Sequence, residues 1–288
     1  MTAAAITPAR SADPITIAAV AVTVVAWASA FPAIRAGLAA FGPLELGALR
    51  FAIAAVPAAI FLLVIRPPLP ALKEAWRFAT GGLVFVALYT ALLNYGELTV
   101  SAGAASFIIN VSPIMTAGFA MMVLGERFSA LAWTGTFLSF GGIGIIALGE
   151  GQGLSFDRGA LLILGAAVCT ATNTIVQKPL FARHKPLTVS AWNMVIGALC
   201  LSPALPSALS QTSAASTEGL VAAIYLGIVP GLVALSRLPA SRASNFLYCV
   251  PPVATLIGFL WLGEIPTSLG ILGGALALGG VAIVNLRR

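Results

Sequence analysis

The chain is short of charge. Of its 288 residues, 15 are Lys or Arg and nine are Asp or Glu, 8% in all, against about 25% in soluble globular domains. That shortage excludes a water-facing surface over most of the molecule. Histidine is scarcer still: His184 stands alone, so no second imidazole exists to complete a metal site, and neither HExxH nor GxSxG occurs. The three cysteines, Cys169, Cys200 and Cys249, lie inside apolar runs without a CxxC or Cys/His cluster. That spacing argues against a zinc centre and a disulfide framework, and the thiols read as small packing residues. No metal, no cofactor and no catalytic set is expected, so the chain does not read as an enzyme.

What the sequence has instead is hydrophobic length. Apolar residues make up 59%, gathered into ten segments at 15–38, 43–65, 78–98, 101–124, 129–149, 159–177, 186–208, 218–236, 243–262 and 267–286. Each is near the ~20 residues that a helix needs to cross a bilayer, and hydrocarbon admits helices because every backbone group bonds internally. The expectation is an all-α membrane protein with the lipid bilayer as its solvent. The net charge of +6 does not imply nucleic acid. With the N-terminus inside and ten crossings, twelve Lys and Arg fall in inner loops and tails and only Arg158 in an outer loop. This positive-inside bias puts both termini in the cytoplasm. Arg10, the first apolar run and Ala28-Ser29-Ala30 also fit a cleaved signal peptide, but cleavage would break the parity that the charges support.

The ten segments form two similar halves, 1–150 and 151–288. Segments four and nine share a proline and a Gly-Glu pair: Pro113 with Pro252, Gly125-Glu126 with Gly263-Glu264. Segments five and ten align Gly135 and Gly141-Gly142 with Gly273 and Gly279-Gly280. Because five is odd, the second half enters the membrane from the opposite side. Two inverted five-helix repeats with a site between them near the midplane are a recurrent design of secondary transporters. The first segments of the halves diverge: Trp27-Ala28-Ser29-Ala30-Phe31 faces Cys169-Thr170-Ala171-Thr172-Asn173.

Trp27 with its helix, Pro43 followed by Arg50, the stretch from Leu98 to Ser106 and the paired proline and Gly-Glu signatures resemble the EamA family of the drug/metabolite transporter superfamily. The resemblance covers nearly the whole chain. It implies ten helices, a cavity between the repeats and export of amino acids, aromatic and other neutral ones, across the bacterial inner membrane. Segment eight departs from the pattern. Its run from Gly219 to Leu235 is broken by Pro230-Gly231 and stops early, so that it is either truly short or lacks a few residues near 235–236.

A zwitterionic cargo needs donors and acceptors for its charged ends and an apolar, aromatic-lined pocket. Trp27, Ser29, Tyr89, Asn94, Asn110, Ser112, Thr170, Thr172, Asn173 and Tyr248 are the expected substrate-binding residues, although Ser, Thr and Asn also join helices at about 0.6 kcal/mol each. Pro113 and Pro252, which cannot donate their backbone bonds, are the expected hinges, bending the gating helices at the carbonyls of Ile109 and Tyr248. The glycines of segments five and ten, with Gly270 and Gly274 in GxxxG spacing, read as close helix packing that also suits a weak dimer; monomer or weak homodimer is the expected state. Arg35, Glu45, Arg50 and Glu97 lie towards span ends, and Arg50 reads as a snorkelling or structural residue. With no carboxylate at the midplane, proton coupling by a central acid is not expected, and segment one lacks the glutamate that small multidrug exporters use. No ring of charges or carbonyl filter suggests a channel. The expected function is alternating-access export of amino acids, with another small metabolite or drug as the alternative cargo.

Overall fold

The computed structural model describes residues 14–124, 130–150, 157–235 and 249–285. Among these the chain forms ten helical segments. They are α1 (residues 14–38), α2 (Pro43–Ile65), α3 (Leu72–Gly96), α4 (residues 102–124), α5 (Ala130–Glu150), α6 (Arg158–Gln177), α7 (Pro186–Thr212), α8 (Thr217–Leu235), α9 (Val250–Leu262) and α10 (Ser268–Asn285). Six of the helical stretches are long and apolar enough to cross a membrane. The outward faces of the bundle are apolar, with Leu63 72% and Val64 71% exposed on α2, Phe137 70% on α5 and Leu260 71% on α9. Side chains of that kind at the periphery need hydrocarbon, not water, as their neighbour.

The packing repeats with a shift of five. α5 lies on α10, α2 on α7 and α4 on α9; the α1–α8 contact has its mate in α3–α6, α2–α8 in α3–α7, and α1–α9 in α4–α6. Every one of these contacts joins one half of the chain to the other. The molecule is therefore two inverted five-helix repeats interleaved around one core, in which Phe31, Ile34, Leu93, Ile108, Ile163 and Leu226 are buried.

Helix approach is set by glycine where backbones meet. On α5 and α10, a side chain at Gly142 would strike the Gly273 carbonyl, and one at Gly280 would strike the Gly135 carbonyl. Ser139 adds a 2.7 Å bond from its hydroxyl to the Ala277 carbonyl. The packing expected of these glycines is thus made within one chain. Gly270 lies beside Thr267, and Gly274 against the Phe107 ring of α4.

Four helices depart from regular α geometry, α7 through a 3-10 turn at Ser202–Ala204. α1 is interrupted at Ser29, whose hydroxyl and N–H both bond to the Val25 carbonyl, at 2.6 and 2.9 Å; such back-bonding bends helices. α3 carries a π-helical stretch over Gly81–Leu88, where Gly82 lets α3 meet Ile196 of α7. α4 breaks at Asn110 and Val111 between Ala102–Ile109 and Ser112–Leu124.

Candidate functional site

The interruption of α1 faces α8. The Ser29 hydroxyl lies 2.5 Å from the Tyr225 hydroxyl, a bond between the two repeats that the sequence did not single out. Trp27 stands two positions earlier and is 38% exposed. Residues two apart on a helix point away from each other, so Trp27 and Ser29 address different surroundings.

The mirror contact, α3 on α6, also carries a tyrosine. Aligning Gly82-Leu83-Val84 with Gly219-Leu220-Val221 sets Tyr89 one position off Tyr225. Tyr89 is half-buried beside Phe85, ring centres 5.7 Å apart, and within electrostatic reach of Arg50 and Cys169. Each tyrosine thus faces the first helix of the opposite repeat. Of the two readings of Arg50, snorkelling or structural, the geometry fits the structural one: its guanidinium lies 4.7 Å over the Phe51 ring, and Nη1 is buried without a hydrogen-bond partner. The physical reason is packing, since α7 and α8 cover α2 on either side.

Around this tyrosine the buried polar atoms are under-satisfied, which is rare in folded proteins. Thr90, Asn94 and Glu97 are 1%, 0% and 0% exposed, and their spacing puts them on one face of α3. Asn94 donates to the Pro43 carbonyl at 2.8 Å, while its Oδ1, the Thr90 hydroxyl and both Glu97 carboxylate oxygens have no partner. On α6, Asn173 Oδ1 is likewise buried and unpartnered.

The remaining expected binding residues behave more locally. Asn110 bonds back to the Ser106 carbonyl at 3.0 Å and Thr170 to the Ala166 carbonyl at 3.2 Å. The Ser112 carbonyl accepts from Thr116 at 2.8 Å. Thr172 is half-buried on α6, and Tyr248 lies outside the described residues. Pro113 is the second residue of Ser112–Leu124, just after the break in α4. Its missing N–H costs little in a first helical turn. Pro252 opens α9 together with Pro251.

At one end of the bundle the repeats are tied by charge. Arg35 of α1 bonds through Nε to Glu264, in the turn after α9, at 2.9 Å. Its Nη1 donates to the Glu97 carbonyl and, at 3.3 Å, to that of Leu98. The second Glu264 oxygen accepts the Ala102 N–H at 2.9 Å, and Glu150 holds Ser101 through the backbone N–H at 3.0 Å and the hydroxyl at 2.9 Å. Two carboxylates therefore sit at the N-terminus of α4, where orphan N–H groups and the helix dipole favour negative charge. At the opposite end Gln177 and Asn193 exchange two amide bonds of 2.8 and 3.0 Å, and Glu74 meets Arg183 at 3.0 Å and His184 at 3.1 Å. The sequence placed Arg35 and Glu97 at span ends and paired Glu264 with Glu126; their assembly across the repeats was not visible in it.

Comparison with known proteins gives this geometry its context. The model of the EamA-like transporter family matches twice, over residues 14–148 and 157–286. A probable terminal-alkyne amino-acid exporter of Streptantibioticus cattleyicolor is 35% identical over 93% of both chains. The uncharacterized transporter YdfC of Bacillus subtilis is 34% identical over 91% of this chain and 88% of its own, and an uncharacterized transporter of Archaeoglobus fulgidus 30% over 93% and 98%. A solved crystal structure, 19% identical, superposes with a TM-score of 0.59 over 95% of this chain and 97% of its own. That likeness supports the fold alone.

Proposed function

The chain belongs to the EamA-like transporter family, and from that premise we propose that it exports amino acids, aromatic and other neutral ones, by alternating access between repeats 1–150 and 151–288. The observation that carries the cargo is the full-length relative described as a probable terminal-alkyne amino-acid exporter. The geometry suits such a cargo. A zwitterion in an apolar interior must find hydroxyls, amides and charge for its two ends, and α1, α3, α6 and α8 offer Ser29, Tyr225, Tyr89, Thr90 and Asn173 around one buried core.

In this reading the protein lies in a bacterial inner membrane with both termini in the cytoplasm, so the Arg35–Glu264 end faces outward and the Gln177–Asn193 end inward. Pro113 and Pro252 stand where α4 and α9 begin a helical piece, the positions at which a rocking repeat bends with least loss of backbone bonding. It works as a monomer or a weak homodimer.

The test is uptake of a labelled amino-acid panel into liposomes that hold the purified protein. Saturable uptake of phenylalanine and other neutral amino acids above empty liposomes is the expected result. Uptake of none of them overturns the amino-acid cargo and leaves another small metabolite or drug for the same fold.

A further inference from the structure

Glu97 stands one residue past the end of α3 with no exposed surface, and neither carboxylate oxygen meets a hydrogen-bond donor. A carboxylate charge held that way is not tolerated in a protein interior; the group neutralises instead. The charged and titratable groups around it come from several elements: Arg35 from α1, Arg50 from α2, Tyr89 from α3 itself and Glu264 from the turn after α9. Arg35 is the one that already touches it. It does so at the Glu97 backbone carbonyl, while its Nε serves Glu264 at 2.9 Å. One arginine therefore bonds the Glu264 carboxylate and the Glu97 backbone, and leaves the Glu97 carboxylate unbonded.

We propose that Glu97 is a proton-binding site, and that its proton keeps Arg35 on Glu264, so that the carrier takes up a proton from the aqueous phase at this end each time the end closes. With the proton gone, the Glu97 charge competes for a guanidinium that is already bonded to the Glu97 backbone carbonyl. Arg35 then leaves Glu264, and the tie between α1 and α9 opens. The Ala102 N–H bonded to Glu264 is the next contact to yield. Asn94 Oδ1 and the Thr90 hydroxyl lie one and two turns deeper on the same helix face, both without partners. The proposal rests on the alternating-access reading and not on the nature of the cargo.

The test measures the separation between spin labels at Ala39→Cys and Ile265→Cys, exposed positions on opposite repeats at this end. The full chain carries them, with Cys169, Cys200 and Cys249 replaced by alanine, in liposomes from mildly acidic to mildly alkaline pH. A short separation in acid that gives way to a longer one in alkali is expected. Glu97→Gln is expected to stay short throughout, and Arg35→Gln to be long throughout. If Arg35→Gln lengthens the separation but the parent protein ignores pH, the proton site is overturned while alternating access stands. If neither pH nor Arg35→Gln moves the labels, the alternating-access reading fails at this end and takes the proposal with it. Infrared difference spectroscopy of the unmutated protein needs no variant to fold. A protonated buried carboxyl band must disappear in step with the distance change, and its absence overturns the proposal.

Discussion

The bond between Ser29 and Tyr225 is the place where one side-chain pair links the repeats across the α1–α8 contact, and its removal has a calculable effect. Tyr225→Phe takes away the hydroxyl and leaves the ring. Ser29 then keeps its 2.6 Å bond to Val25, so no buried donor is stranded. Ser29→Ala leaves the Tyr225 hydroxyl on a half-buried residue, where its loss is also mild. Interhelical polar bonds in membranes average about 0.6 kcal/mol and reach about 1.7 kcal/mol, so each single variant should lose less than about 1 kcal/mol of stability. If the bond must break as the repeats separate, the same 0.6 kcal/mol leaves the barrier, and at saturating substrate, where weaker cargo binding no longer counts, turnover rises about threefold. The assay is a double-mutant cycle read by thermal unfolding in detergent and by counterflow in liposomes. Two side chains that act through each other give a double variant no worse than either single one. Stability losses that add would refute the reasoning, because the hydroxyls would then be serving other partners.

Other substitutions test the packing and the path. Gly273→Val, which drives a side chain into the Gly142 carbonyl and the Ile146 backbone, should abolish monodisperse protein on size exclusion; Gly279→Val, with nothing within 4 Å, should not. Gln177→Leu strands two polar atoms of Asn193 in a buried site and should cost about 1–3 kcal/mol in thermal unfolding. Restoring an apolar pair with Asn193→Leu should recover part of that loss. Trp27→Ala should lower amino-acid uptake while the folded fraction by fluorescence-detected chromatography stays unchanged, and an unchanged rate would remove Trp27 from the path.

The ten helices were legible because hydrocarbon leaves the backbone no alternative to them, and the inverted halves because Pro113, Pro252, Gly135, Gly142, Gly273 and Gly280 recur in register. The inward faces were less legible. A transmembrane helix that is apolar all round carries no amphipathic stripe to tell lipid from core, so Tyr225 did not stand out and Arg50 stayed open between a snorkelling and a structural role. Asn110 shows the converse limit. An asparagine in a span has both a partner helix and its own preceding turn within reach, and the structure gives Asn110 the local carbonyl of Ser106. Glu97 was read as a span-end charge; its surroundings include Arg35 and Glu264, which come from segments far from it in the chain, and periodicity within one segment does not encode that.

Inverted repeats make each contact twice, and the two copies are free to differ. Where the copies agree, as in Gly135 and Gly142 against Gly273 and Gly280, the contact carries backbone approach and serves both repeats equally. Where they disagree, the two halves of the pathway acquire separate chemistry. Ser29 gives α1 a hydroxyl for Tyr225, whereas the aligned position on α6 is Ala171 and the tyrosine facing it, Tyr89, lies instead by Cys169 and Arg50. Binding energy that discriminates the two orientations of an asymmetric solute can come only from such mismatched pairs. Matched pairs contribute the same to a carrier facing either way. Among the described residues most of the unpartnered buried polar atoms, those of Arg50, Thr90, Asn94 and Glu97, belong to the first repeat, on α2 and at α3, with Asn173 and Trp192 in the second. A substitution there should therefore shift the balance between the two facing states, while a substitution in the glycine seam should reduce the amount of folded protein and leave the balance alone.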